Sequence, residues 1–380
     1  MRNCFLTLVL IVVLISMSML LQSCVPQGAK EQTIAIGAAG PLSGDQAQIG
    51  QDVLRGVELA IDQINASGGL LGKKVVIISL DDKADPKEAS NVASKFVADA
   101  NVVAVVGHLN SGCSIPASDI YNRAHMAMIS ASSTADDLTS EGKDNVFRVV
   151  LRDSDQGPAG AVFAKEKLGA QRVAILDDKT AYGKGLAEAF KAKAVELGME
   201  VVGRDAFDVG NKDFSTLVTK LIAAQPDVIF IGGMYPETSL LVKQARPRGL
   251  TAVFMSGDGA YVPKLIEIAG DAAEGLIASF LAPPWNETPA AVDFLAKYKA
   301  KYGEEVKSFA PLAYDATMVL AEAIERAGKA DRAAIIAALH APDFSYKGMA
   351  ATYQFDANGD ITTKQPYFYI VKNGKFESYK

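Results

Sequence analysis

The 380-residue chain has three cysteines, three histidines and one tryptophan, and these scarcities remove whole classes of chemistry. His108, His125 and His340 stand far apart, and none has a His or Cys partner at metal-ligand spacing. Zinc ligation and a histidine-based catalytic triad are therefore not expected. His125 and His340 read as surface or helix-end residues. His108 follows an apolar strand and reads as structural more readily than as a ligand contact. Neither a Walker A sequence nor a Gly-x-Ser-x-Gly elbow occurs. Gly37-Ala38-Ala39-Gly40-Pro41 lacks the dinucleotide spacing, and Pro41 interrupts the helix such a motif needs. The paired acids Asp81-Asp82 and Asp136-Asp137 read as loop and cap carboxylates, since neighbours on a strand point to opposite faces. No basic run or basic–aromatic stripe is present and the formal net charge is -6, so no nucleic-acid partner is expected. No catalytic set, metal or cofactor is expected either.

Long hydrophobic runs are also rare, and the one present is at the N-terminus. Arg2 precedes the apolar stretch Phe5 to Leu21, which ends in Leu21-Gln22-Ser23-Cys24 and then Val25-Pro26-Gln27-Gly28. This order reads as a secretory signal. An uncleaved anchor is the competing reading, because a run of roughly 17 residues is the shortest that spans a bilayer. Leu-x-Ser-Cys resembles the bacterial lipobox, in which the cysteine thiol is acylated and becomes the new N-terminus. The likeness implies a signal over residues 1–23, lipid on Cys24, a linker over 24–32, and tethering to a membrane in the periplasm or at the cell surface. Cys4 would leave with the signal, so Cys113 alone remains in the body and cannot form an internal disulfide. Loss of the signal removes Arg2 and no acid, leaving 37 basic against 44 acidic residues and a net charge of -7.

The remaining composition, 49% hydrophobic and 22% charged, is that of a globular protein long enough for two domains. Short apolar runs alternate with amphipathic stretches. Strands are expected at 33–38, 74–80, 102–107, 128–130 and 146–151, with helices at 51–66, 86–100 and 112–126 between them. In the first helix Val53, Val57, Ala60, Ile61 and Ile64 fall on one face. A second series runs from Asp155, with strands at 172–176, 200–206, 228–231, 252–255 and 275–280 and helices in the intervals. Repeated units of this length predict an α/β fold with two doubly wound parallel sheets. Asp153–Gly157 and Leu281–Trp285 are polar or Pro-rich breaks that suit interdomain crossings. The last part is helical at 290–302, 311–327 and 331–339, and closes on strands at 351–355 and 367–371.

Open α/β sheets hold ligands at the carboxyl ends of their strands. Two polar junctions stand at such ends. Gly107-His108-Leu109-Asn110-Ser111-Gly112 joins a buried strand to a helix, where free N–H groups and the helix dipole suit an anion. Ser111 is expected there as N-cap and hydroxyl donor. Ser130-Ala131-Ser132-Ser133-Thr134 follows the next strand, and its hydroxyls and carbonyls could serve a carboxylate and an ammonium. Such Ser/Gly-rich stretches are also good turns, and residue chemistry alone leaves both readings open.

A set of fragments in a particular order goes further. Gly107-His108-Leu109, Pro116 to Tyr121, Asp153 to Pro158, Tyr182-Gly183-x-Gly185-Leu186-Ala187, Lys212 to Leu217, Gly232-Gly233, Gln244-Ala245-Arg246 and Ala273 to Leu276 together resemble the leucine/isoleucine/valine-binding proteins of bacterial ABC transporters. The likeness runs from Thr33 beyond Gly275. It implies a type I periplasmic binding protein: two Rossmann-like doubly wound lobes joined by three hinge crossings, which close over a ligand. Lobe 1 would comprise 33–152 with 283–350, and lobe 2 would comprise 153–282 with 351–380. By position, Ser111 would hold an amino-acid carboxylate, Thr134 would touch carboxylate and ammonium, and the Ser132 carbonyl would accept from the ammonium. Ser133 belongs to the same loop. Tyr182 would cover the ligand, and Asp258, where the family usually has Glu, would pair with the ammonium.

Departures fall in the side-chain pocket. Ile49 and Met234 stand where the family often carries tyrosines, with Tyr235 displaced by one; Leu109 and Asn110 adjoin them. Ala84 and Asn110 occupy the places of the family's lobe-one disulfide, which leaves Cys113 a free thiol. The resemblance thus implies a monomeric binder, not an enzyme, that passes an aliphatic amino acid to an ABC permease. The same fold also suits a ligand sensor or a binder of amides or aromatic acids.

Overall fold

The computed structural model describes residues 33–362 and 364–379. Cys24, the signal and the whole linker lie outside the described residues. Two parallel sheets organise the chain. The first is built from β1 (Ile34–Gly40), α1 (Ala47–Ala66), β2 (Val75–Asp81), α2 (Pro86–Ala98), β3 (Val102–Val106), α3 (Ser111–Arg123), β4 (Ala127–Ser130) and β5 (Val146–Arg148). The second follows with α4 (Asp153–Glu166), β6 (Arg172–Asp177), α5 (Ala181–Glu196), β7 (Glu200–Ala206), α6 (Ser215–Ala224) and β8 (Val228–Gly232). It continues through α7 (Tyr235–Ala245), β9 (Val253–Ser256), α8 (Pro263–Ala269) and β10 (Ile277–Phe280). Helices α9 (Val292–Tyr302), α10 (Ala310–Ala327) and α11 (Arg332–Leu339) come next, then β11 (Tyr346–Lys347), β12 (Thr352–Tyr353), β13 (Tyr367–Lys372) and β14 (Lys375–Ser378).

The first sheet has strand order β2-β1-β3-β4-β5. The parallel part of the second has the same pattern one repeat later, β7-β6-β8-β9-β10, with β13 and β14 added antiparallel at its edge. In both, strand order reverses between the first and third strands of the series, which opens a crevice at the carboxyl ends. Central strands are apolar throughout because helices cover both faces, and all five residues of β3 and of β8 are buried. The predicted apolar face of α1 is buried, and α10 packs along that helix. Gly107 ends β3 at φ +134, where a Cβ would lie 2.4 Å from the Ala39 carbonyl oxygen; only glycine fits there.

The chain passes between the sheets three times: after β5, after β10 and before β13. Two local expectations need correction. Asp153–Gly157 is not a loose break but the first turn of α4; the Arg152 N–H donates to Asp155 Oδ2 at 3.3 Å, and acids there suit the helix dipole. Residues 351–361 do not belong with the second sheet. Tyr353 Oη donates to Asp315 on α10 at 2.8 Å, and the Gly359 carbonyl accepts from Arg148 N at 3.1 Å, so this stretch stays on the first body. Only from Tyr367 does the chain join the second sheet.

Arg148 is fully buried at the end of β5. Its Nε lies 2.7 Å from Asp360, one Nη donates to the Ser133 and Ala135 carbonyls at 3.1 Å, and the other to Thr139 Oγ1 at 2.5 Å. One guanidinium therefore ties the polar loop after β4 to the C-terminal stretch. Removing one partner of such a pair strands the other charge in the interior, at a cost of roughly 3–5 kcal/mol. Asp360→Ala should lose stability of that order in urea unfolding followed by circular dichroism; a loss under about 1 kcal/mol would show that the pair is dispensable.

Candidate functional site

Both crevices open on one cavity of about 480 Å³. The first body contributes Gln46 from the loop after β1, Ala84 to Pro86 after β2, Leu109 to Cys113 after β3, and Ser132 after β4. The second contributes Lys179 to Tyr182 after β6, Met234 after β8, and Asp258-Gly259 after β9. Phe309, at the start of α10, adds an aromatic wall. Apart from Phe309, these residues follow the carboxyl ends of parallel strands, around the reversals of strand order between β1 and β3 and between β6 and β8.

Of the residues singled out in the sequence, Ser111, Ser132, Tyr182, Asp258, Leu109, Asn110 and Met234 line this wall together. Thr134 and Ser133 lie behind it. Ser133 Oγ is committed to Ser114 Oγ at 2.7 Å and to the Leu109 carbonyl at 2.9 Å, so it braces the loop and is not on the wall. Ser111 is the first helical residue and Asn110 the N-cap, a shift of one from the expectation; Ser111 Oγ accepts from Ala135 N at 3.3 Å. Ile49 does not reach the cavity but is fully buried in the core on α1. Tyr235 is also absent from the wall, because its hydroxyl donates to the Asp45 carbonyl of the opposite body. It serves as a latch. Lys264 N adds a second contact across the mouth, to Gln48 Oε1 at 3.2 Å.

His108 is structural: fully buried, with Nδ1 2.7 Å from Asp82 and Nε2 3.0 Å from the Tyr121 hydroxyl. Asp81, Asp82 and Asp136 accept main-chain N–H groups in loops. Cys113 is a free, buried cysteine, and burial pushes its thiol well up, which keeps it protonated. Sequence reasoning missed Gln46, Phe309, Asp153 and Gln156. Phe309 arrives from a distant segment with no local signal, whereas Asp153 and Gln156 were hidden inside the supposed crossing.

The polar end of the cavity is an acid cluster. Asp258 Oδ1 accepts from the Tyr182 hydroxyl at 3.1 Å, and that hydroxyl accepts from Gly259 N at 3.1 Å. Gly257 lets the ring approach, since a Cβ there would lie 2.5 Å from Tyr182 Oη. Burial pushes Asp258 up to about 6, against the pull of Gln156, Tyr182 and its own backbone N–H. Behind it Asp153, fully buried, is held well above the usual carboxylate range by burial first, then by the charges of Asp258 and Asp136. Both Asp153 oxygens, both Gln156 amide atoms and Thr134 Oγ1 are buried without a hydrogen bond of ordinary geometry. Lys179 on the wall cannot answer this need, because its ammonium pairs with Asp208 at 2.8 Å. Among the described residues neither Asp153 nor Asp258 forms an ion pair.

Two doubly wound bodies closed on a shared cavity, with a helix N-terminus on one side and an acid on the other, define a two-lobed solute-binding protein. The chain belongs to the periplasmic binding protein family, whose profile matches residues 33–375. It is 38% identical over 352 residues, covering 93% of this chain and 94% of the relative, to Leu/Ile/Val-binding protein homolog 2 of Brucella abortus. It is 37% identical to a leucine-, isoleucine-, valine-, threonine- and alanine-binding protein of Pseudomonas aeruginosa, over 87% of each chain. A branched-chain amino acid transporter substrate-binding protein from Streptococcus pneumoniae, solved with isoleucine, superposes with a TM-score of 0.85 at 32% identity, over 91% of this chain and 98% of that one. The type I fold is thereby established, together with an extracytoplasmic location and a role in binding, not catalysis.

The Asp258 carboxyl has a measurable signature. Its folded value of about 6 lies above the ordinary 3.8, so the stability it contributes is fully present below about 4 and is lost as pH rises through about 6. Between pH 5 and 7.5 the urea midpoint of ligand-free protein should fall further in the parent than in Asp258→Asn. Identical pH responses would show that this carboxyl bears no burial cost.

Proposed function

We propose that the chain captures a small aliphatic α-amino acid outside the cytoplasm and delivers it to an ABC permease. The observation that carries this reading is the buried acid at Asp258 and Asp153, which has no cation of its own. An α-ammonium group supplies that charge and its donors. Ser111 and the N-terminus of α3 face the cavity from the other body and suit the α-carboxylate, through the hydroxyl, the free N–H groups and the dipole. In this reading the Ser132 carbonyl and Thr134 Oγ1 complete the ammonium site, with Asp153 and Gln156 as a second layer. Tyr182 covers the ligand and keeps the proton it donates to Asp258, since burial raises its hydroxyl well above the ordinary range. Leu109, Pro86, Met234 and Phe309 offer the apolar remainder. A zwitterion is costly to remove from water, and only a site that matches both ends offsets that cost.

Closure follows from the same division. Ser111 and Asp258 stand on different bodies, so the ligand gains its full set of contacts only when the bodies meet. The closed monomer then presents both bodies to the permease, while an acylated Cys24 tethers it to the membrane. Globomycin should cause an unprocessed, higher-mass form to accumulate, and Cys24→Ala should partition to the aqueous phase of a detergent extraction; a Cys24→Ala protein that stays in the detergent phase would exclude the lipid.

Calorimetry with leucine, isoleucine and valine should show saturable binding on the order of micromolar, roughly 8 kcal/mol. Asp258→Ala should weaken it by about a hundredfold and Ser111→Ala by about tenfold, since each strands a charged end of the ligand. Affinity should drop by about tenfold from pH 7 to pH 5, because the ammonium competes with a proton for Asp258. Unchanged affinity in both variants would reject the site.

A further inference from the structure

The cavity runs from a sealed end to an open one. Ser111, Ser132, Tyr182 and Asp258 are buried, as are Leu109 and Met234. Asp85, Pro86, Lys179, Ala181 and Val209 belong to the same wall, yet they are exposed. This exposed set follows β2, β6 and β7. β2 and β7 are edge strands, on the side of each sheet away from β5, β10 and β13, where the crossings are. The cavity therefore opens at the free edges of both sheets, opposite the hinge. Polar groups at this mouth are already engaged. Asp85 caps α2 through the N–H groups of Lys87 and Glu88 at 2.9 Å, Lys179 pairs with Asp208 at 2.8 Å, and Thr180 Oγ1 donates to Asp178 at 2.6 Å. What they leave is apolar: Ala84, Pro86, Ala181 and Val209. Val209 is 54% exposed, one of the few large apolar side chains among the described residues that stand in water.

We infer that the site takes an α-amino acid whose apolar side chain is longer than leucine's, with methionine the common amino acid of that kind. This rests on the α-amino-acid reading above and narrows it. The cavity of about 480 Å³ falls in the range that holds drug-sized molecules, which is more than leucine fills. The groups proposed to hold the carboxylate and the ammonium are at the buried end, so a side chain that grows in length grows toward the mouth. Valine leaves Pro86 and Val209 in water. A longer unbranched chain passes between Pro86 of one body and Val209 of the other and covers both, and removal of such apolar surface from water is favourable. Because each body supplies one of these residues, the longer chain adds contacts that only the closed form completes. Methionine is unbranched, turns about three side-chain bonds and fits irregular apolar space.

Norvaline, norleucine and 2-aminoheptanoate form a straight-chain series that isolates length. Calorimetry on the intact purified chain should show the dissociation constant falling about three- to fourfold with each added methylene, or about tenfold across the series. Methionine should match norleucine. Val209→Asp places a charge in the passage and should bring the ratio between norvaline and 2-aminoheptanoate close to one; Val209→Ser, read in the same way, serves if the charged variant does not fold. A dissociation constant that stays level or rises along the series in the parent would overturn the inference, as would a variant that keeps the full gain. In both cases retained leucine binding would leave the amino-acid reading standing. Failure of leucine and of the whole series to bind the parent would remove that reading and this one together.

Discussion

An ionised carboxylate kept from water needs a positive partner, and the polar end of this cavity holds two acids without one. The charge of Asp258 raises the cost of ionising Asp153, and Lys179, the one basic side chain on the wall among the described residues, pairs with Asp208. Much of the surrounding construction can be understood as support for that arrangement. Gly257 admits the Tyr182 ring, Tyr182 directs a proton at Asp258, and Arg148 fixes the loop that carries Ser132 and Thr134.

On the proposed reading, selectivity for a zwitterion arises from separation more than from any one contact. The α3 N-terminus and Asp258 sit on different bodies, each at the carboxyl ends of its parallel sheet, so a ligand held as proposed draws on both. The Tyr235 and Lys264 contacts each cross between the bodies as a single hydrogen bond, as suits a latch that must also open. Affinity in such a device is the ligand's contribution to closure less the cost of bringing the bodies together.

Much of this was legible in the sequence because parallel sheets write strong signals. Val102–Val106 and Val228–Gly232 are runs that only a doubly covered strand needs, and the polar stretches that follow them had to be ligand edges or turns. Ser111, Ser132, Tyr182 and Asp258 were singled out through the family resemblance, and all four line the cavity. What escaped was long-range or masked. Phe309 reaches the cavity through packing of α10 on α1, which no local pattern encodes. Asp153 and Gln156 lay in a stretch whose charge and glycine content mimic a linker, although they form the first turn of a helix. Ile49 misled for the opposite reason: its position along the chain pointed to the pocket, but an isoleucine on the inner face of α1 is drawn into the core. The boundary at 351 failed because the Arg148–Asp360 pair, set by residues more than two hundred apart, holds that stretch on the first body.

The interleaving of the two bodies bears on how the chain is made. The first is not complete until α10 and the stretch around Asp360 are present, and the second lacks its edge until β13 and β14 arrive. A ribosome thus releases nearly the whole polypeptide before either half can finish folding. That delay defers assembly of the clamshell until almost the full length of the chain is available.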